Sequence, residues 1–171
     1  MEYISSAQIA TTVAILAYVG LVFAAGVSDI LTLTIPNRFS AAIVLLFPSY
    51  ALSAGSMVDW QGSLLIAFGA LIFGFVLYAL GGWGGGDAKL FGAAALWAGP
   101  DHILNFTLTT MLAGGAITIF IMLQHYLPYV FSTGFFRFRE GLPKLRGEPI
   151  PYGSAIAVGG LYGAFTLLRV A

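Results

Sequence analysis

The chain has 171 residues, of which 59% are hydrophobic and 8% charged, and its seven basic and seven acidic side chains cancel to a formal net charge of zero. A soluble domain carries about 25% charged residues, so a water-soluble fold is excluded and lipid is the solvent for most of the chain. The neutral total says nothing about nucleic acid, and no basic run suggests it as a partner. The absence of cysteine removes disulfides, thiolate zinc sites and cysteine nucleophiles together.

A bilayer core of about 30 Å requires about 20 helical residues. Six segments approach that length, near Ile9–Val27, Phe39–Ala54, Gly62–Leu80, Ala88–Ala98, Ile103–Tyr126 and Ile150–Val170. The expected fold is therefore all-α: one polytopic membrane domain over residues 1–171 with about six transmembrane helices and no internal repeat. The first segment is too long for a signal peptide, and Met1-Glu2-Tyr3 lacks the basic start that such a peptide needs. Pro48 should kink the second helix, which a membrane tolerates. The fourth segment is short and needs Asp87 and Lys89 at the lipid interface in order to span. Ala155, Gly159 and Gly163 form a small-residue stripe on the last helix, as do Ala70 and Gly74 on the third, and such stripes let helices approach closely in lipid.

The basic residues set the orientation. With six alternating spans, Arg38, Lys89, Arg137, Arg139, Lys144 and Arg146 fall on one side, the cytoplasm, while Glu2, Asp59 and Asp101 fall on the other. Both termini are then outside, and Asp29 and Asp87 share the cytoplasmic face. Leu127–Pro149 interleaves Phe131, Phe135, Phe136 and Phe138 with Arg137 and Arg139, a pattern that suits an interfacial anchor.

The stretch Gly81-Gly82-Trp83-Gly84-Gly85-Gly86-Asp87-Ala88-Lys89 delivers a carboxylate to the start of an apolar helix. Ser28-Asp29 closes the first helix, and Pro36 prevents that helix from continuing. A helical Asp29 shares a face with Val22, Ala25 and Gly26, of which Ala25 and Gly26 leave room for a neighbouring helix. Asp87 is placed to cap free N–H groups and to sit well in the helix dipole. Two aspartates in contact oppose double ionisation. The ionised one serves as general base for water, and the protonated one polarises a peptide carbonyl, with no metal or cofactor required. Plainer readings stay open at this point: an N-cap for Asp87 and an interfacial charge for Asp29. No Gly-Lys-Ser/Thr follows the glycines, and no strand precedes them, so neither a P-loop nor a dinucleotide fingerprint fits. Lys89 is read as reaching to headgroups rather than as an ion partner. His102 is read as solvated in a short loop, and His125, near a helix end, has no partner at ligand spacing.

These residues carry a resemblance. Gly84-Gly85-Gly86-Asp87 resembles the Gly-x-Gly-Asp signature of intramembrane aspartic proteases. Asp29 with Ile35-Pro36-Asn37, then Gly86-Asp87-Ala88-Lys89-Leu90, then Ile150-Pro151-Tyr152-Gly153-Ser154-Ala155-Ile156-Ala157, resembles the type IV prepilin peptidase family, in its short form serving tight-adherence (Flp) pili. The resemblance implies a multi-pass inner-membrane endopeptidase. It would remove the short basic leader of prepilins at the cytoplasmic face, beside the pilin's apolar helix, with Asp29 and Asp87 as the catalytic pair. Gly84, Gly86, Pro151, Tyr152 and Gly153 would support the site as substrate-binding or loop elements. Longer members carry a cysteine-bearing insert and many methylate the new N-terminus; this chain has no such insert, which counts against methylation here. The rival from another class is a small proton-coupled transporter or channel, which calls for acids near the bilayer midplane and paired broken helices. A non-catalytic membrane scaffold is a third.

Overall fold

Among the residues that the computed structural model describes, 5–133 and 150–170, all regular structure is helical. Five α-helices follow in order: α1 (Ser6–Thr32), α2 (Asn37–Ala54), α3 (Trp60–Ala79), α4 (Gly85–Thr133) and α5 (Tyr152–Val170), with one 3-10 turn at Gly55–Met57. Local chemistry sets the starts. The Ser5 hydroxyl accepts the Gln8 N–H at 3.1 Å while the Gln8 side chain takes the Ser5 N–H at 2.9 Å, a reciprocal cap that opens α1. Pro36 precedes α2, and Asp59 opens α3 by accepting the Gly62 N–H at 2.9 Å.

The fourth and fifth segments expected from the sequence form one helical stretch broken at Gly99, whose φ of 59° and ψ of −174° belong to glycine. Pro100 then restarts the helix, a position that needs no N–H donor. The break is a reversal. Phe91 and Phe106 stack with ring centroids 5.2 Å apart, whereas a straight helix would separate them by about 22 Å. Residues 85–98 and 100–133 therefore run back against each other.

Three helical stretches, Ser6–Thr32, Trp60–Ala79 and Gly85–Gln124, are long and apolar enough to cross a membrane. The first part of α4, residues 85–98, covers about 21 Å on its own. Large apolar side chains such as Leu45, Leu52, Leu65 and Leu112 face outward, which suits lipid and not water. The chain is an all-α membrane protein.

α4 is central and packs against α2, α3 and α5, while α1 packs against α2 and α5. Trp97 anchors the interior between Tyr18 (centroids 4.4 Å) and Tyr50 (5.0 Å), and its indole N–H donates to the Ile43 carbonyl at 3.0 Å. α2 continues through Pro48. The glycines expected at close contacts are found there. A methyl group on Gly74 would stand 2.8 Å from the Ala88 Cα, and one on Gly159 would meet Thr110 and Phe106. Gly163, by contrast, has nothing within 4 Å, so the α5 stripe makes its close contact at Gly159. The expected interfacial anchor within Leu127–Pro149 lies outside the described residues beyond Thr133.

Candidate active site

Three stretches far apart in the chain meet at one end of the bundle: the end of α1 with the turn after it, the glycine loop opening α4, and the first turn of α5. Asp29 is 5% exposed and shares its buried face with Val22, Ala25 and Gly26. α5 occupies the room that these small residues leave, since a methyl on Gly26 would stand 2.6 Å from the Ala157 Cβ. α1 does not close at Asp29 as the sequence suggested. It runs one turn further, until Leu33 adopts a left-handed φ of 52° and donates its N–H to the Asp29 carbonyl at 2.8 Å. A regular helix thus presents the Asp29 side chain.

Asp29 Oδ2 accepts the Ser154 N–H at 3.1 Å. That donor comes from the first turn of α5, where a negative charge is favoured, and it is shared with the Pro151 carbonyl at 3.2 Å. The turn is locked by the Ser154 hydroxyl, which donates to the Pro151 carbonyl at 2.6 Å. Gly153 leaves the approach open, because a methyl there would stand 2.9 Å from Asp29 Oδ2 and would also meet Ile35.

Asp87 is 7% exposed and is not the cap residue itself. It is the third residue of α4, and its Oδ2 reaches back to accept the Gly84 N–H at 2.9 Å, the acidic half of a capping box. Ile35 lies against both Gly153, which adjoins the Asp29 carboxylate, and Gly86, which precedes Asp87, so the two acids are brought to one end of the bundle. The hydrogen-bond partners of both, among the described residues, are backbone amides.

The turn between α1 and α2 closes the third side. The Ser28 hydroxyl donates to the Thr34 carbonyl at 3.0 Å, pinning the turn to α1. Lys89 Nζ donates to Asn37 Oδ1 at 2.9 Å, tying the start of α4 to the start of α2; this exposed lysine therefore has a neutral side-chain partner. Gly86 carries no side chain because Ile35 is there, its Cβ 3.1 Å and its carbonyl oxygen 3.2 Å from where a methyl would stand. Tyr152 packs near Trp83, with ring centroids 6.3 Å apart, and Trp83 meets Phe91 edge-on at 5.3 Å. Gly84, Gly86, Pro151, Tyr152 and Gly153 are thus all brought to the place where Asp29 and Asp87 lie.

Two residues of this arrangement stand in the motif blocks without an expected role at the site. Ser154 contributes through its amide, which has no side-chain signature. Ile35 reads as an apolar residue held extended by the following Pro36. At the opposite end of the bundle a cleft of about 480 Å³ is lined by residues including Thr11, Tyr50, Ser53, Ser63 and His102. His102 belongs there, half-buried and helical, rather than to an exposed loop. The His125 side chain lies outside the described ones. Among the described residues, no three His, Cys, Asp or Glu side chains gather as a metal site would require.

The model of the type IV leader peptidase family matches residues 16–119. The chain belongs to that family. The matched stretch contains Asp29, Ile35, Gly84, Gly86 and Asp87, and it ends before the first turn of α5. Family membership makes the chain a leader-peptidase-like protease, carried on membrane-crossing helices. No curated protein and no solved structure matches it.

Proposed function

We propose that the chain is an aspartic endopeptidase of the inner membrane, with Asp29 and Asp87 as its catalytic pair and prepilins of the type IV or Flp kind as its substrates. The observation that carries this reading is the burial of two carboxylates from distant segments at one end of the bundle, each held, among the described residues, by backbone amides. A shared proton lets one carboxylate take a proton from water while the other donates one to the scissile carbonyl. Water adds to the carbonyl carbon, the C–N bond breaks, and the leaving amine takes up the proton, so that no cofactor enters.

The orientation proposed is six spans with both termini outside, which puts the Asp29–Asp87 end in the cytoplasm together with Arg38 and Lys89. A prepilin presents a basic leader on the cytoplasmic side and an apolar helix in the bilayer. Its junction would thus lie level with the aspartates. Gly84, Gly86 and Gly153 keep the backbone around the pair close and free of bulk, while Pro151 and Tyr152 support the first turn of α5 through the Ser154 hydroxyl and Trp83. The reading is tested by co-expressing the chain with a prepilin and following leader loss on a gel. Wild type shortens the prepilin, and Asp29→Asn and Asp87→Asn leave it full length while still inserting in the membrane. Shortening by either variant at the wild-type level would remove that residue from the reaction.

A further inference from the structure

We propose that Ile35 is a positioning residue for this reaction, a spacer packed between Gly86 and Gly153 that sets how the start of α4, which carries Asp87, stands against the start of α5, whose Ser154 amide holds Asp29. The inference rests on the peptidase reading above and adds a residue to it.

Ile35 lies in neither helix that carries an aspartate. It sits in the extended turn between α1 and α2, and three features fix it. Pro36 restricts the residue before it to extended backbone angles. The Ser28 hydroxyl holds the Thr34 carbonyl on its other side, and Lys89 holds Asn37 two residues on. From that fixed point Ile35 touches two glycines that adjoin the site. Its Cβ and carbonyl oxygen lie 3.1 Å and 3.2 Å from where a Gly86 methyl would stand, and Gly86 immediately precedes Asp87. Its Cδ1 occupies the place of a Gly153 methyl, and Gly153 immediately precedes Ser154, whose N–H holds Asp29. Ile35 is the nearest neighbour recorded for both glycines. One side chain therefore gauges the start of α4 against the start of α5. Interiors packed this closely transmit displacement instead of absorbing it. A shift of Ile35 moves Asp87 directly and Asp29 through its amide partner.

The test measures cleavage of a prepilin-type peptide by the purified full chain in detergent micelles. Ile35→Ala, which empties the gap, is expected to lower kcat about ten-fold with KM within about two-fold, and Ile35→Val to recover most of that loss. Gly153→Ala is expected to lower kcat about 100-fold in the wild-type background, and at least about five-fold less in the Ile35→Val background, where Cδ1 is absent. Gly86→Ala, whose methyl would meet Ile35, is expected to lower kcat about ten-fold and leave KM unchanged. Equal Gly153→Ala losses in the two backgrounds would overturn the spacer role, as would Gly86→Ala at wild-type kcat. Should Gly153→Ala fail to fold by gel filtration, the Gly86→Ala measurement decides alone. A failed peptidase reading shows differently: Asp29→Asn or Asp87→Asn would then cleave, whereas a failed spacer role leaves both inactive.

Discussion

Replacing Gly74 with alanine strikes α3 and α4 at a point where neither can yield. A methyl there would stand 2.8 Å from the Ala88 Cα, 3.0 Å from its Cβ and 3.3 Å from its carbonyl oxygen. Carbon atoms settle at about 3.5–4.0 Å, and Ala88 has no rotamer to change. The helices must part by about 1 Å, and overpacking of this kind costs about 1–3 kcal/mol. For a chain of this size that is a fall of about 2–12 °C in Tm. Ala88 also adjoins Asp87, so the first turn of α4 moves with it, and a misplacement of about 1 Å at reacting groups costs about 100-fold in rate. Gly69 on the same helix is the control, since nothing lies within 4 Å of a methyl there. Gly69→Ala should gain about 0.5–1 kcal/mol from helix propensity alone. The assay is a thermal scan of purified protein in micelles alongside prepilin cleavage. Gly74→Ala matching Gly69→Ala in both Tm and rate would refute the reasoning.

Gly99→Ala should lower stability by about 1–3 kcal/mol, because φ 59° with ψ −174° is closed to residues with a Cβ; an unchanged Tm would count against the reversal of α4. Trp97→Phe keeps a ring between Tyr18 and Tyr50 but strips the Ile43 carbonyl of its indole donor, and should cost about 1–3 kcal/mol in the same scan. Because the chain has no cysteine, single Cys replacements report topology cleanly. Thr34→Cys should react with a membrane-impermeant thiol reagent only after the membrane is opened, and Asp101→Cys should react in intact cells. The opposite pattern would invert the proposed orientation.

Much of the arrangement was legible because lipid simplifies the code. Apolar length marks helices, and charges collect at their ends, so Asp29, Lys89 and Asp87 stood out against their surroundings. The face of α1 followed from helical spacing, since Val22, Ala25, Gly26 and Asp29 are all buried. Gly74 and Gly159 betrayed close contacts through the absence of a side chain. What stayed hidden depends on partners in space. Asp29 does not end its helix, because Thr32 and the left-handed Leu33 carry it one turn further. Asp87 looked like a cap residue, yet it reaches back from the third helical position to Gly84. A backbone amide such as that of Ser154 has no side-chain signature, and Ile35 gains its meaning from two glycines that lie 51 and 118 residues away. The short fourth segment forms the first part of α4, and the Phe91–Phe106 stack shows that the chain turns back at Gly99.

The central claim is that Asp29 and Asp87 act together on one peptide bond. The most direct measurement is kcat/KM for a prepilin-type peptide with purified wild type, Asp29→Asn, Asp87→Asn and Asp101→Asn, the last changing an exposed acid far from the pair. Both site variants should fall by at least about 1,000-fold, their combination should fall no further, and Asp101→Asn should match wild type. Wild-type kcat/KM in Asp29→Asn or Asp87→Asn, or losses that multiply in the double variant, would contradict a pair working as one unit.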